Sequence, residues 1–202
     1  MSVWCGQFPL VLASQSRARQ ALLANAGIVF KAIPADLDER SIQQGSGLEA
    51  PGDIAALLAR EKARSVSLDQ SGRFVVGADQ TLALGKRLFS KPAGRTQAAE
   101  QLRALAGRSH ELHSAVAVAR DGKIMFEAVG IARMTMRPLH EAEIEAYLKE
   151  AGDAVTSTVG AYQLEGLGVH LFERIEGDHF TILGLPLMPL LGYLRSERLL
   201  AV

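Results

Sequence analysis

The order of apolar segments predicts an α/β protein with a mixed β-sheet flanked by helices. Two observations carry this. Strand-like and helix-like periodicities alternate along the chain. A hairpin signal, Asp121-Gly122 between two long strand-like runs, occurs in the same chain as crossover signals, in which a helix separates two buried strands. No linker, internal repeat or low-complexity tract divides the sequence, so all 202 residues are read as one domain, long enough to bury a core.

The elements follow in order. Leu10–Ala13 is a short apolar run and reads as a buried strand. A helix from Ser16 to about Ala26 follows, with Leu22, Leu23 and Ala26 on one face and Gly27 placed to stop it. Ile28–Ile33 is strand-like and ends at Pro34. The polar, glycine-containing stretch 41–51 reads as a loop, and Asp53 as the N-cap of a helix from Ile54 to about Val66. Arg73–Ala78 is a second buried strand, closed by Asp79. Thr96–Leu105 reads as a helix capped by Thr96. Glu111–Arg120 and Lys123–Arg137 form the hairpin. Glu141–Glu150 is a short helix, Gly168–Ile175 a strand and Pro186–Arg195 a final helix.

Composition narrows the function. Apolar residues make up 48%, as expected of a chain that folds. The 22 basic and 22 acidic residues cancel, so the chain has no net field to capture nucleic acid, and no stable nucleic-acid complex is expected. Cys5 is the only cysteine, which rules out an intramolecular disulfide and a cysteine-based zinc cluster. No apolar run approaches the ~18 residues of a membrane span, and the first residues lack the basic start of a signal peptide. A cytoplasmic location is the expectation.

Several polar residues sit where chemistry is done. Ser14-Gln15-Ser16-Arg17-Ala18-Arg19 joins the first strand to the first helix. A helix N-terminus offers unpaired N–H groups and partial positive charge, and hydroxyls with a guanidinium beside it suit a phosphate. The same residues also suit a plain helix cap with solvated arginines. Asp79 at the end of a buried strand suits metal binding or proton abstraction, or a turn that bonds its own backbone. Lys91, held extended by Pro92, can reach toward the same place or lie at an exposed turn. Lys62 falls on an amphipathic helix, and Glu39 lies in a polar Asp-Glu pair. Glu165 stands in a glycine-flanked stretch, Gln163-Leu-Glu-Gly-Leu-Gly168, where close approach to a ligand and a simple turn are both open. The five histidines show no H-x-x-x-H spacing, and neither a G-x-S-x-G elbow nor a P-loop is present.

The ordered series L-A-S-Q-S-R-A-R, D-E, E-K-A, G-A-D-Q, K-P, L-A-G-R-S-H, A-Y-Q-L-E-G-L-G and G-L-P-L resembles the Maf family of nucleotide pyrophosphatases, from about Leu10 to about Leu194. The resemblance implies an elongated mixed-sheet fold with two lobes and a central cleft. It implies hydrolysis of a nucleoside triphosphate to the monophosphate and pyrophosphate, with a divalent cation (Mg²⁺ or Mn²⁺), in a chain that can form a homodimer. By position, Ser14 and Arg19 would hold the triphosphate, Lys62 and Lys91 would neutralise it, and Glu39 and Asp79 would hold the metal. Asp79 would also accept the proton of the attacking water. Gln80 and Glu165 match the pattern of members that prefer 7-methyl-GTP, a carboxylate suiting the amino edge of guanine. Arg17, Ala18 and Gln20 depart from that subgroup, and Ala18 stands where an aromatic platform for a cationic base is expected. Thr158-Val159-Gly160 departs from it as well. The competing reading is a non-catalytic nucleotide- or nucleic-acid-binding regulator of cell division, which would bind a nucleotide and release it intact.

Overall fold

Leu10, Val11 and Leu12 are fully buried, and their three residues form β1, a strand with apolar neighbours on both faces. In a computed structural model that describes residues 3–202, the chain continues through α1 (Arg17–Asn25), β2 (Phe30–Ala32), α2 (Glu39–Ser46) and α3 (Pro51–Leu68). Next come β3 (Val75–Leu84), β4 (Arg87–Phe89), α4 (Arg95–Leu105), β5 (Ser109–Arg120), β6 (Lys123–Met136) and α5 (Glu141–Ala151). Three 3₁₀ segments, Gly152–Thr156, Val159–Ala161 and Leu167–Leu171, lead into β7 (Phe172–Glu176), α6 (His179–Ile182) and α7 (Leu187–Ser196). The seven strands form one mixed sheet in the order β2-β1-β3-β5-β6-β7, with β4 also paired to β3. β1 is parallel to β2 and β3, whereas β4 on β3 and β7 on β6 are antiparallel. The expected mixed α/β architecture is thus present. Among the described residues no helix is long and apolar enough to cross a membrane.

Local signals explain most elements. Ser16 caps α1, its hydroxyl accepting from Arg19 N, and Gly27 at φ 70° ends it. Asp121 (φ 50°) and Gly122 (φ 77°) make the left-handed pair that a two-residue hairpin turn needs between β5 and β6.

Several expectations need correction. The stretch 41–51 is a loop only over residues 47–50; residues 41–46 belong to α2. Asp38 caps α2 by accepting from Ser41 N at 3.0 Å and Ser41 Oγ at 2.7 Å, and Gly47 at φ 66° closes the helix. Its polar sequence hid it because none of its residues is buried. Asp53 lies inside the first turn of α3, which starts earlier because Pro51 suits the first helical position. Gly94, not Thr96, precedes α4. The strand foreseen from Gly168 is 3₁₀ to Leu171 and extended only from Phe172. Most important, β3 does not close at Asp79. It runs on to Leu84, because Leu82, Ala83 and Leu84 pair with Phe89, Leu88 and Arg87 of β4 across the Gly85-Lys86 turn.

Packing divides the chain into two compact units. The first contains the chain up to Gln80 with Ser114–Gly130 and His179–Val202; the second contains Thr81–His113 and Ile131–Asp178. In the first, Leu10, Leu12, Leu23, Val116, Leu185 and Leu190 share a buried cluster on one side of the strands. Each such side chain contributes roughly 1.5–3 kcal/mol on burial. A second cluster is made of alanines alone: Ala55, Ala59 and Ala63 of α3 against Ala115, Ala117 and Ala119 of β5. Small side chains let α3 lie close to the strands. Gly77 takes this further, since a Cβ there would stand 2.2 Å from Ala59 O and 2.5 Å from Ala63 N.

In the second unit His110 is almost fully buried and meets the Tyr162 hydroxyl through Nε2 at 2.7 Å, while its Nδ1 has no partner. Tyr162 stacks edge-on to Phe172 at 4.7 Å, and Gln101 holds Gly160 N at 3.0 Å and Ser90 O at 2.8 Å. Burial lowers His110 from its ordinary value to about 4, so the folded chain keeps it neutral.

Two outcomes follow. Gly77→Ala should cost about 1–3 kcal/mol, read as a lower urea midpoint, because backbone rather than a side-chain tip stands in the way. His110 has a depressed folded pKa, so its contribution is whole above the unfolded value of about 6.5 and is lost as pH falls toward about 4. The shift corresponds to roughly 3 kcal/mol, and His110→Phe should remove that part of the acid sensitivity in urea titrations between pH 7.5 and 4.5.

Candidate active site

The close approach of α3 at Gly77 sets up the charged cluster. Successive strand residues point to opposite faces, so Asp79 shares the α3 face with Gly77. Lys62, one residue before Ala63 on α3, places Nζ 2.6 Å from Asp79 Oδ1. The same ammonium lies 2.9 Å from Oε1 of Glu39, the first residue of α2. The Lys62 and Asp79 side chains are each 11% exposed, whereas Glu39 is half-exposed. One buried cation is therefore shared by two carboxylates. Burial pushes the Asp79 carboxyl above its ordinary range, and the Lys62 and Arg19 charges pull against that rise.

A second group forms where β1 meets α1. Ser14 is buried, and its Oγ accepts from Ser16 N at 3.2 Å and from Arg19 Nη1 at 3.3 Å. Arg19 also donates through Nη1 to Ala78 O at 2.8 Å and through Nε to Gly184 O at 2.7 Å. Burial lowers the guanidinium from its ordinary value, opposed by Asp79 and Glu39, and it stays charged. Its neighbour Arg17 is exposed. The two arginines thus divide: Arg19 is locked into the fold, and Arg17 is solvated.

Gln80 points to the opposite face from Asp79. Its Nε2 donates to Ser114 Oγ at 2.8 Å, Ile182 O at 3.0 Å and Thr181 O at 3.2 Å. Ser14, Arg19, Glu39, Lys62, Asp79 and Gln80 all belong to the first unit. Lys91 and Glu165 belong to the second, and both are exposed. Glu165 sits in a tight turn in which Gln163 O accepts from Gly166 N at 3.2 Å and Gly168 N at 3.1 Å, and a Cβ on Gly168 would meet that oxygen at 2.3 Å. Sequence reasoning missed Gly184, Ser114 and Thr181. The glycine at 184 was visible in G-L-P-L, but its carbonyl's role needs the fold.

The model of the family described as Maf-like protein matches residues 9–197 of this sequence. The chain belongs to the Maf family. It is 71% identical over 202 residues to a nucleoside triphosphate pyrophosphatase of Rhodopseudomonas palustris and 70% identical over 202 residues to one of Bradyrhizobium diazoefficiens, each match covering 100% of both chains. It is also 50% identical over 190 residues to a 7-methyl-GTP pyrophosphatase of Rhizobium etli, covering 93% of this chain and 95% of that one. In this Maf protein, as the geometry stands, a buried carboxylate is flanked by two cations and lies on the strand next to an anion-suited helix end.

Among the described residues no three His, Cys, Asp or Glu side chains converge on a metal-sized point. Glu39 and Asp79 do converge as a pair, both within 3 Å of the Lys62 ammonium. Two carboxylates are what Mg²⁺ takes from a protein when substrate phosphates complete its shell, so the donor set fits such an ion.

Lys62→Met should destabilise the fold by about 3 kcal/mol, because it strands a buried carboxylate. Adding Asp79→Asn should return part of that loss. Urea denaturation of both single variants and the double variant should give a coupling above roughly 1 kcal/mol.

Proposed function

We propose that this protein hydrolyses a nucleoside triphosphate to the nucleoside monophosphate and pyrophosphate, with Asp79 as the general base. The observation that carries this is the Asp79 carboxylate, buried on β3 and held by Lys62, on the strand whose Ala78 carbonyl receives Arg19. A carboxylate kept from solvent and close to phosphate-binding cations suits this role. The pyrophosphatase names of the relatives at 70% and 71% identity support the same reaction class.

The roles follow from charge. Ser14, Arg19 and the N-terminus of α1 bind phosphate oxygens, and Lys62 offsets their charge. Lys62 is paired with both Asp79 and Glu39. An arriving phosphate competes for that ammonium, which leaves Asp79 able to take a proton from water as the water attacks the α-phosphorus. Pyrophosphate departs with the electron pair of the broken P–O bond. Glu39 and Asp79 would hold a Mg²⁺ or Mn²⁺ ion, which when bound neutralises phosphate charge. Ala18 offers no ring on which a methylated cationic base can stack, and the relatives named for triphosphates in general are more similar than the one named for 7-methyl-GTP. We therefore take the substrate to be a standard triphosphate class rather than 7-methyl-GTP alone.

A panel of ATP, GTP, CTP, UTP, dTTP and 7-methyl-GTP in ¹⁸O-water with Mg²⁺ or Mn²⁺ tests this reading. The label should appear in the monophosphate and not in pyrophosphate. Asp79→Asn should retain the fold and lose about 10²–10⁴-fold in rate. Nucleotide bound and recovered intact would instead favour a non-catalytic regulator.

A further inference from the structure

The Gln80 amide is committed inside the first unit, and its partners lead back to Arg19. Two N–H groups serve three acceptors: Ser114 Oγ, Thr181 O and Ile182 O. Ser114 Oγ in turn donates to Thr181 O at 2.7 Å. That same carbonyl accepts from Gly184 N at 3.0 Å. Gly184 then presents its own carbonyl to Arg19 Nε at 2.7 Å. Its backbone is left-handed at φ 88°, and a Cβ there would press on the guanidinium at 3.3 Å, so only glycine fits both the turn and the arginine. Arg19 closes the circuit by donating to Ala78 O, two residues before Gln80 on β3. Four segments are joined in one ring of hydrogen bonds, with Arg19 as its only cation.

We propose that Gln80 and Ser114 are positioning residues for Arg19: by fixing the Thr181 carbonyl they fix Gly184, and through it the guanidinium that meets the triphosphate. This rests on the phosphate-binding reading of the Ser14–Arg19 junction. It changes the expectation for Gln80, which then sets how well any triphosphate is held rather than which base is chosen. The residue next to the base Asp79 thereby couples the strand that carries the base to the helix end that carries the anion site.

Inorganic tripolyphosphate, which has the phosphates and no base, separates the two roles. In calorimetry Gln80→Ala should weaken tripolyphosphate binding about tenfold, the scale of one charge-assisted hydrogen bond. Ser114→Ala, a smaller deletion, should shift it in the same direction by less. Across the nucleotide panel Gln80→Ala should raise KM by one common factor, leaving the ranking of bases unchanged. In an Arg19→Ala background it should add nothing further. Unchanged tripolyphosphate affinity in both variants, or a KM change confined to one base, overturns the proposal. Failure of the wild-type protein to bind tripolyphosphate overturns both this proposal and the phosphate site. Gln80-dependent binding without turnover of any nucleotide would leave the positioning role standing and remove the enzymatic one.

Discussion

The approach of α3 to β3 at Gly77 is the constraint on which the site depends. A helix cannot come this near to a strand unless both surfaces are stripped of side chains. Here the stripping is done by Gly77 on one side and by Ala59 and Ala63 on the other. The nearness brings an ammonium on α3 within ion-pair distance of a carboxylate on β3. Burying two charges is costly unless each has partners, and the cluster supplies them: Asp79 has Lys62 and the field of Arg19, and Lys62 has a second carboxylate in Glu39.

The placement of Asp79 on a continuing strand is also a matter of precision. A carboxylate in a turn moves with the turn. Asp79 lies within a ten-residue strand that is paired before it, at Val75 and Val76 with β1, and after it, at Leu82–Leu84 with β4. The same strand contributes Ala78 O to Arg19 and the Gln80 amide to Ser114 and α6. Three consecutive residues thus carry an acceptor for Arg19, the buried carboxylate and the amide that ties β3 to Ser114 and α6.

Much of this was legible in the residues. The strand, Ser16 cap and Gly27 stop around the first helix, and the Asp121-Gly122 hairpin, are local signals, and local signals survive without tertiary information. The Maf motifs singled out Ser14, Arg19, Lys62, Asp79 and Glu39, which the structure brings into one unit. The misses share a cause. Helix α2 buries no residue, so it has no apolar stripe to read, and its evidence lies in the Asp38 cap. The extension of β3 depends on β4, a three-residue partner too short to announce itself. The direction of Gln80 could not be read because strand parity matters only once the strand is known to continue past Asp79.

The shared ammonium has a further consequence for how a ligand arrives. Within the first unit, the two cations Arg19 and Lys62 face the two carboxylates Glu39 and Asp79, so the cluster is electrically balanced, as is the whole chain. A balanced cluster casts little field beyond its own contacts. If Lys62 takes phosphate as proposed, a highly charged nucleotide is not drawn in from a distance; it exchanges partners, phosphate for carboxylate, only at close range. Selectivity in such a site belongs to the lifetime of the encounter rather than to its frequency.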